Sequence, residues 1–227
     1  MKQSLFTMEH ARQLTADTYE LVLSGDTSAV TAPGQFVNIQ LPGKFLRRPI
    51  SICTWTEDAL LLLVRVVGEG THDLVRCVPG TELDVLSGLG NGFDWTKGGQ
   101  HPILLGGGIG IAPLYGLAQR MLEAGVTPTV GLGFRSGKDA FYLEEFSKLG
   151  CRLLVATEDG SLGTRGFVTD LARHVPECDY AFVCGPTPML KAVHGLAQLT
   201  GGQFSFEARM GCGFGACMGC SVPTVNG

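Results

Sequence analysis

The class of fold follows from one run of the chain, Ile103-Leu104-Leu105-Gly106-Gly107-Gly108-Ile109-Gly110-Ile111-Ala112-Pro113. A short apolar strand leads into a glycine turn, and a helix follows whose apolar face holds Leu114, Leu117, Met121 and Leu122. Free backbone N–H groups and the helix dipole make such a junction suitable for an anion. Because Pro113 takes the place of the third glycine in the dinucleotide pattern G-x-G-x-x-G, the turn is compatible both with a phosphate site and with an ordinary tight turn.

Strands and helices alternate on the carboxyl side of this run. We predict strands at 129–134, 152–156, 180–183 and 203–207, and helices at 143–149, 168–174 and 189–199. This alternation is typical of a parallel, doubly wound sheet, which binds ligands at the carboxyl edge of its strands. We therefore predict an α/β nucleotide domain at residues 98–206.

On the amino side of the run, the chain reads as short strands separated by turns. We predict strands at 19–23, 35–40, 50–54, 59–66 and 82–86, because these segments are rich in branched and aromatic residues. The pairs Pro33-Gly34, Pro42-Gly43 and Pro79-Gly80 mark turns between them. Several short strands with no strong helix pattern between them predict an antiparallel β-barrel at residues 1–97, with 94–100 as a linker.

The composition excludes several classes of function. The chain has 227 residues, of which 44% are hydrophobic and 17% charged, so a sizeable core is expected. Its net charge is −4 and it has no basic tract, which argues against nucleic acid as a partner. The most apolar run, at 59–64, is broken by Arg65 and is too short to span a membrane. Without an apolar signal segment at the start, we expect a cytoplasmic location.

A cysteine run near the carboxyl end, residues 207–227, indicates redox chemistry. Cys212, Cys217 and Cys220 have the spacing C-x4-C-x2-C that plant-type ferredoxins use around a 2Fe–2S cluster, with glycines between them. Such a cluster needs a fourth thiolate, and none follows before Gly227. A zinc ion with a fourth ligand from elsewhere stays an alternative, although zinc ribbons favour a second C-x2-C pair. Five other cysteines lack ligand spacing: Cys53, Cys77, Cys151, Cys178 and Cys184. Four of these five are most simply packing residues.

Two further segments could hold cofactors. The loop Cys184-Gly185-Pro186-Thr187-Pro188-Met189 follows a predicted parallel strand, where it could lie beside a flat ring or serve only as a proline-stiffened loop. In Arg47-Arg48-Pro49-Ile50-Ser51 an arginine could clamp a pyrophosphate and the serine could bind a ring nitrogen. The run Gly68-Glu69-Gly70-Thr71 could bring N–H groups to the same phosphates, whereas basic pairs on strands are usually solvated surface.

In combination these segments resemble the ferredoxin–NADP reductase superfamily, in which a flavin-binding barrel precedes a nicotinamide-nucleotide domain. Within it, the chain resembles the electron-transfer subunits of class 1B dihydroorotate dehydrogenase. The resemblance covers essentially the whole chain and rests on these runs in this order: Arg48-Pro49-Ile50-Ser51, Gly68-Glu69-Gly70-Thr71, Leu89-Gly90-Asn91-Gly92-Phe93, Gly106-Gly107-Gly108-Ile109-Gly110, Cys184-Gly185-Pro186-Thr187-Pro188-Met189-Leu190 and Glu207-Ala208-Arg209-Met210-Gly211-Cys212-Gly213.

The resemblance implies cofactors and the residues that hold them. FAD would be held by Arg48, Pro49, Ile50, Ser51, Val64, Arg65, Val66, Gly70 and Thr71, with Arg48 on the pyrophosphate and Ser51 near the isoalloxazine ring. The NAD pyrophosphate would lie on the turn with Gly108, Gly110 and Pro113, and nicotinamide beside Cys184, Gly185 and Pro186. Cys212, Cys217 and Cys220 would be three ligands of the 2Fe–2S cluster.

The resemblance also implies an activity and a partner. A catalytic subunit would oxidise dihydroorotate to orotate on its own FMN, and electrons would pass singly through the cluster to FAD and then as a hydride to NAD⁺, in pyrimidine (UMP) biosynthesis. The expected assembly is a heterotetramer containing a pair of each subunit. Because the cofactors carry this chemistry, we predict no catalytic acid or base in this chain.

The sequence departs from the family in places, and other readings stay open. Ser87-Gly88 stands where relatives have Gly-Pro, and in relatives a fourth cysteine lies further along than the seven residues left after Cys220, so we expect an incomplete chain. Arg135-Ser136 follows a predicted strand where a 2′-phosphate could bind, which leaves NADP open. The alternatives are a subunit of a hydrogenase or transhydrogenase complex, a stand-alone NAD(P)H:flavin reductase with zinc at the cysteines, or a scaffold without cofactors.

Overall fold

The first part of the chain forms a closed antiparallel barrel with strand order β1-β2-β5-β4-β3-β6. The computed structural model describes residues 1–196 and 198–221. The barrel strands are β1 (Lys2–Gln13), β2 (Thr18–Gly25), β3 (Phe36–Gln40), β4 (Arg48–Trp55), β5 (Ala59–Arg65) and β6 (Glu82–Leu89), with helix α1 (Glu69–Val75) between the last two. Alternate residues point inward: Leu83, Val85 and Leu89 of β6 are buried while their neighbours are partly exposed.

The second part is a parallel sheet with strand order β10-β9-β8-β7-β11-β12. Its strands are β7 (Pro102–Gly107), β8 (Thr129–Phe134), β9 (Arg152–Thr157), β10 (Thr164–Arg165), β11 (Tyr180–Cys184) and β12 (Gly201–Ser205). Its helices are α2 (Ala112–Glu123), α3 (Leu143–Lys148), α4 (Val168–Arg173) and α5 (Thr187–His194). The predicted barrel followed by a doubly wound parallel sheet is confirmed.

Several elements differ from the sequence-based expectation. Strand β1 was not predicted, yet it pairs with both β2 and β6. Helix α1 lies where the sequence shows no strong helix pattern, and it forms because Leu74 is buried in the barrel core and Lys44 pairs with Glu69 and Asp73 on the outside. Helix α5 begins at Thr187, two residues before the predicted start, and ends at His194, well short of the predicted end at 199.

The barrel and the sheet pack directly against each other through β4 and α2. Thr54 on β4 donates its hydroxyl to Oε1 of Gln119 at 2.7 Å. A Cβ added at Gly116 of α2 would lie 2.5 Å from the carbonyl oxygen of Cys53, so only glycine allows this approach. One hydrophobic cluster therefore continues across the junction and joins Cys53 and Leu63 of the barrel to α2 and the sheet. Among the described residues, no helix combines the length and the apolar character needed to span a bilayer.

Candidate functional site

A cavity of about 630 Å³ lies at the carboxyl ends of β7, β8 and β11, and we call it the sheet cavity. The sheet contributes 107–110, 133–135, Gly185 and Pro186 to its wall. The barrel contributes Asp17, Thr18 and Arg65 from the opposite side. Carboxyl ends of parallel strands are where open α/β sheets bind their ligands, so this is the expected place for a nucleotide.

The glycine turn borders the sheet cavity with its backbone. Gly108 lines the cavity with a φ of +54°, and a Cβ added there would meet nothing within 4 Å. Gly110 has a different reason to be glycine, because a Cβ there would lie 2.3 Å from the carbonyl oxygen of Cys184. The two predicted nucleotide loops are therefore in backbone contact, and the open side of the turn is left free for an anion.

Two residues that were predicted to contact the nucleotide lie behind the cavity wall. Pro113 is buried in the first turn of α2. Cys184 is 1% exposed and faces the hydrophobic cluster at the junction. Burial, together with the nearby carboxylate of Glu207, raises the pKa of the Cys184 thiol to about 12 despite a hydrogen bond with Ser205. Both residues shape the loops from inside, and the thiol stays protonated at neutral pH.

A second cavity of about 640 Å³ opens beside the barrel, and we call it the barrel cavity. Its wall includes the predicted flavin residues Pro49, Ile50, Ser51, Val64, Arg65 and Thr71. Glycines with positive φ also line it, at Gly34 (+89°), Gly90 (+77°) and Gly92 (+72°). These glycines pack against Phe93, Phe36 and Ala32, respectively, where side chains would clash or crowd. A wide opening bounded by strand ends and glycine loops suits a large planar ligand.

Three predicted flavin residues lie outside the wall of the barrel cavity: Arg48, Val66 and Gly70. The side chain of Arg48 bonds to the carbonyl oxygen of Leu46 and covers Gly70, where an added Cβ would lie 1.9 Å from Arg48 Nε. Val66 packs against the barrel core and donates its N–H to the carbonyl oxygen of Asp17 at 2.7 Å. The side chain of Arg48 therefore leaves room only for glycine at position 70. The assignment of Arg48 to a pyrophosphate stays a prediction.

The two cavities share part of their walls. Arg65, Val67, Ile109 and Glu207 line both. Asp17 accepts a hydrogen bond from Nε of Arg65 at 2.8 Å, which fixes the guanidinium at the junction. Burial would raise the pKa of Asp17, but the bonds from Arg65 and Thr18 outweigh it and leave the pKa below its ordinary value. Sequence reasoning gave no role to the side chains of Asp17 and Glu207, because a single charged residue in a turn or at the end of a strand is usually solvent-exposed.

The cysteine run lies on strand β3. Asn38 of β3 donates its amide to the carbonyl oxygen of Cys212 at 3.2 Å. Gly213 has a φ of +78°, and a Cβ there would lie 2.7 Å from Nδ2 of Asn38 and 3.7 Å from the ring of Phe36. Phe36 also lines the barrel cavity, as does Met210. One aromatic side chain therefore touches both the cysteine run and the barrel cavity.

The backbone of the run favours a thiolate at Cys212. The N–H of Cys217 points at Cys212 Sγ across 3.5 Å, and the N–H groups of Cys217, Phe214 and Ala216 lower the pKa of Cys212 to about 6. In iron–sulfur proteins, N–H groups that donate to the ligand sulfurs in this way stabilise the thiolates and tune the cluster. Within residues 1–196 and 198–221, however, no three His, Cys, Asp or Glu side chains form a metal-binding group, so Cys212, Cys217 and Cys220 are not gathered around one point.

Comparison with known proteins agrees with this geometry. The family model for oxidoreductase NAD-binding domains matches residues 104–195. The chain is 41% identical over 234 residues to the electron transfer subunit of dihydroorotate dehydrogenase B (NAD(+)) from Listeria monocytogenes serovar 1/2a, covering 100% of the chain and 91% of that relative. It is 42% identical over 235 residues to the subunit of the same name from Geobacillus sp. (strain WCH70), with the same coverage.

Solved structures share the whole architecture. An NADH-dependent reduced ferredoxin-NADP oxidoreductase, solved in a study of flavin-based electron bifurcation, matches with a TM-score of 0.85 and 30% identity over 96% of this chain and 81% of that one. A ferredoxin NADP⁺ reductase from Neisseria gonorrhoeae, solved with bound FAD and NADP, matches with a TM-score of 0.74 and 16% identity over 91% of this chain and 100% of that one. At that identity, the second likeness concerns the fold alone.

Proposed function

Because the chain belongs to the family of electron transfer subunits of dihydroorotate dehydrogenase B (NAD(+)), we propose that its barrel cavity holds FAD and its sheet cavity holds NAD. The chain is an oxidoreductase subunit of pyrimidine biosynthesis with an NAD-binding domain. As an electron transfer subunit, it works with a catalytic partner. The proposal concerns where its cofactors bind, which residues hold them and how the partner is joined.

One observation carries this proposal: the two cavities meet at Arg65, Val67, Ile109 and Glu207. Hydride transfer requires the reacting rings to be in contact, and two cavities that share wall residues allow their ligands to meet. Arg65, held by Asp17, adds a fixed positive charge at the junction, where ligand phosphates or a reduced ring would be stabilised. The proposed division of the chain follows: a flavin barrel at 1–97, a nucleotide domain at 98–206 and a cluster segment at 207–227.

For the nucleotide, the open backbone at Gly108 would accept the pyrophosphate, while Gly110 keeps the turn against the Cys184–Gly185 backbone. Gly185 and Pro186 would border the nicotinamide, and Pro113 starts the helix whose dipole faces the anion. At the far end, Asp139 and Glu158 line the sheet cavity together with Arg135. Carboxylates there accept hydrogen bonds from ribose hydroxyls and repel a 2′-phosphate, which supports NAD over NADP.

For the flavin, Pro49, Ile50, Ser51, Val64, Arg65 and Thr71 would form the walls of the site, with Arg48, Val66 and Gly70 supporting them from behind. Cys212, Cys217 and Cys220 have the spacing of a ferredoxin-type run and would be three ligands of a 2Fe–2S cluster, which requires their sulfurs to move together from the positions described above. N–H groups would stabilise the Cys212 thiolate. When bound, FAD supplies an acceptor for one or two electrons and the cluster a one-electron carrier. Phe36 and Asn38 would hold the cluster segment beside the flavin wall.

For the partner, we propose an FMN-containing subunit that oxidises dihydroorotate, joined to this chain as a heterotetramer. Electrons from that subunit would enter through the cysteine run, because the run is exposed on one side and rests on the barrel on the other. NAD⁺ would take them up at the sheet cavity. The chain itself would bind and orient the cofactors, and none of its side chains would be required to transfer a proton.

The test uses the subunit co-expressed with its catalytic partner and two variants. Cys217→Ser should abolish dihydroorotate-to-NAD⁺ electron flow while NADH still bleaches the flavin absorbance. Gly108→Ala should weaken NAD⁺ binding about ten-fold or more, because its Cβ enters the phosphate site. The control is Gly43→Ala, at a φ of +70° with nothing within 4 Å of its Cβ, in a turn outside both cavities, which carries the same backbone cost.

Three results would contradict the proposal. Loss of both activities in Cys217→Ser with the fold intact would mean that the relay order is wrong. Equal NAD⁺ affinities for Gly108→Ala and Gly43→Ala would remove the nucleotide from the sheet cavity. Zinc without acid-labile sulfide in the purified complex would replace the cluster by a structural metal.

A further inference from the structure

A buried carboxylate joins the barrel to the sheet domain without lining either cavity. Glu20 of β2 is 7% exposed and faces Arg12, its partner across the β1–β2 ladder. Arg12 donates from Nε to Oε1 and from Nη2 to Oε2, each at 3.0 Å. Tyr142, from the sheet domain, donates its hydroxyl to Oε2 of the same carboxylate at 2.5 Å. The contact links two residues 122 positions apart in sequence.

Tyr142 is held for this contact in an uncommon backbone conformation. It lies directly before α3 with a φ of 64° and a ψ of 15°, in the left-handed region that is unfavourable for residues other than glycine. Its side chain is buried, and its ring packs edge-to-face on Tyr115 with the centroids 5.3 Å apart. A strained conformation of this kind persists only where the surroundings fix it, here the aromatic packing and the bond to Glu20.

The groups around the Glu20 carboxylate keep it ionised. Besides Arg12 and Tyr142, His10 Nε2 lies 3.9 Å from Oε1. Glu145 of α3 adds a second crossing between the domains, 3.7 Å from Arg12 Nη2. Burial would raise the pKa of Glu20, but the hydrogen bonds from Arg12 and Tyr142 outweigh it, so the pKa lies below its ordinary value. Burial and the neighbouring Cys53 and Glu20 raise the pKa of Tyr142, which therefore stays a hydrogen-bond donor.

The position of the contact relates it to the sheet cavity. On the barrel side, Asp17 and Thr18 line the cavity, and Glu20 lies two residues further along β2. On the sheet side, Phe141 lines the cavity, and Tyr142 is the next residue. The Glu20–Tyr142 bond therefore ties together two opposite walls of the sheet cavity, one from each domain.

A structural role alone does not explain this arrangement. The Arg12 side chain is 53% exposed, and an ion pair with one partner in solvent adds little net stability. The burial of Glu20 and the left-handed backbone of Tyr142 each carry a cost. What such a contact supplies is one fixed geometry. We propose that the Glu20–Tyr142 hydrogen bond is an interdomain positioning contact, which sets the width of the sheet cavity so that a bound dinucleotide meets the barrel cavity in the geometry for hydride transfer. The inference rests on the nucleotide assignment proposed above.

The experiment compares Tyr142→Phe and Glu20→Gln with a matched control in the flavin-loaded complex. Thr54→Val is the control, because it also removes an interdomain hydrogen bond, of 2.7 Å to Gln119, but lies outside the sheet cavity. Stopped-flow spectroscopy measures the limiting rate of flavin reduction by NADH, and titration measures NAD⁺ affinity. Amide exchange is followed in the flavin-free chain over residues 139–146, the segment around Tyr142. We expect Tyr142→Phe and Glu20→Gln each to slow reduction about ten-fold and to speed that exchange, with thermal midpoints close to that of Thr54→Val.

The double variant tests whether both residues act through one contact. If they do, Tyr142→Phe/Glu20→Gln loses no more rate than either single variant, and additive losses would overturn the proposal. The proposal would also be overturned if the single variants had the same flavin-reduction rate and the same amide exchange as Thr54→Val. Gly108→Ala distinguishes failure of the nucleotide assignment from failure of the positioning contact. If Gly108→Ala leaves NAD⁺ affinity unchanged, the nucleotide assignment fails. If it weakens NAD⁺ binding and Tyr142→Phe changes neither the reduction rate nor the exchange, only the positioning contact fails. Glu20→Gln keeps the tyrosine ring and so remains informative if Tyr142→Phe lowers stability.

Discussion

At the scale of single residues, two glycines of one turn lack a side chain for different reasons. Gly108 has open space on its Cβ side and borders the sheet cavity, so the requirement for glycine comes from a left-handed backbone and a ligand. Gly110 has the backbone of Cys184 within 2.3 Å of its Cβ position, so the requirement comes from packing between β7 and β11. The spacing G-x-G in this chain therefore combines a binding requirement with a structural one.

The carboxylate of Glu20 makes the stability of the fold depend on pH. Its pKa in the folded chain lies below the ordinary value of 4.5, because bonds from Arg12 and Tyr142 outweigh burial. A carboxylate with a lowered folded pKa contributes stability above its unfolded pKa and loses that contribution as the pH falls through the folded value. We therefore expect the difference in free energy of unfolding between the wild type and Glu20→Gln to be constant above about pH 5.5 and to shrink towards pH 3.

Urea denaturation at a series of pH values measures this difference. Glu177→Gln is the control, since it removes an exposed partner of Arg152, 2.9 Å away, and should give a small difference throughout. A Glu20→Gln difference that stays the same down to about pH 3 would mean that the carboxylate is not preferentially ionised in the folded chain.

At the scale of elements, β3 is the support on which the cysteine run rests. Asn38 is 1% exposed and donates to the carbonyl oxygen of Cys212, while its own Oδ1 has no hydrogen-bond partner among the described residues. Asn38→Leu keeps a strand-compatible side chain of similar size but removes the donor. A hydrogen bond contributes about 1 kcal/mol net, so we expect amide exchange over residues 212–216 to become about five-fold faster while flavin content is unchanged.

The control for this variant lies on the same strand. Gln40→Leu also removes an amide donor, to the carbonyl oxygen of Lys44 at 2.6 Å, but does not touch the cysteine run. Exchange followed by mass spectrometry should separate the two variants. Equal exchange over 212–216 in both would show that Asn38 does not hold the run.

The strands and helices that could be predicted from sequence are those in which the pattern of apolar residues within the segment indicates that it is buried. Strand β8 has the predicted bounds, and β9 and β11 each extend one residue beyond theirs, because short segments rich in apolar residues and bounded by turns are a local signal for strands. Strand β1 escaped prediction because only Phe6 and Met8 among its residues are buried and its register shifts after Met8. Helix α1 has seven residues, too few to show a periodic face, and depends on tertiary contacts.

The candidate site also has features that the sequence predicts and features that only the structure reveals. Its loops could be predicted, because glycine and proline clusters after strands are local signals that identify a backbone site. What could not be predicted depends on contacts between distant segments: the fold-back of Arg48 over Gly70, the burial of Cys184 behind its loop, and the pair Asp17–Arg65 at the junction. The pairing of Glu20 with Tyr142 is of this kind too, and no local pattern in either segment indicates it.

At the scale of the whole molecule, the barrel and the sheet share one core. The cluster at the junction includes Cys53 and Leu63 from the barrel together with residues of α2, β7, β8 and β11. Leu117 of α2 is fully buried in it. Because neither part can lose this cluster alone, the cluster holds the barrel and the sheet together, whereas the finer setting of the sheet cavity is the role proposed for the Glu20–Tyr142 contact.

A shared core predicts that the two parts unfold together, and the chain offers a reporter for each. It has two tryptophans, and Trp55 packs against the barrel core whereas Trp95 packs against the junction cluster. In Trp95→Phe and Trp55→Phe backgrounds, fluorescence then reports one part at a time. Leu117→Ala, which leaves a cavity in the shared core, should lower the free energy of unfolding by about 2–5 kcal/mol and shift both transitions equally. If the Trp55 transition kept its midpoint while the Trp95 transition moved, the barrel would be stable by itself, and the two parts would not share one core.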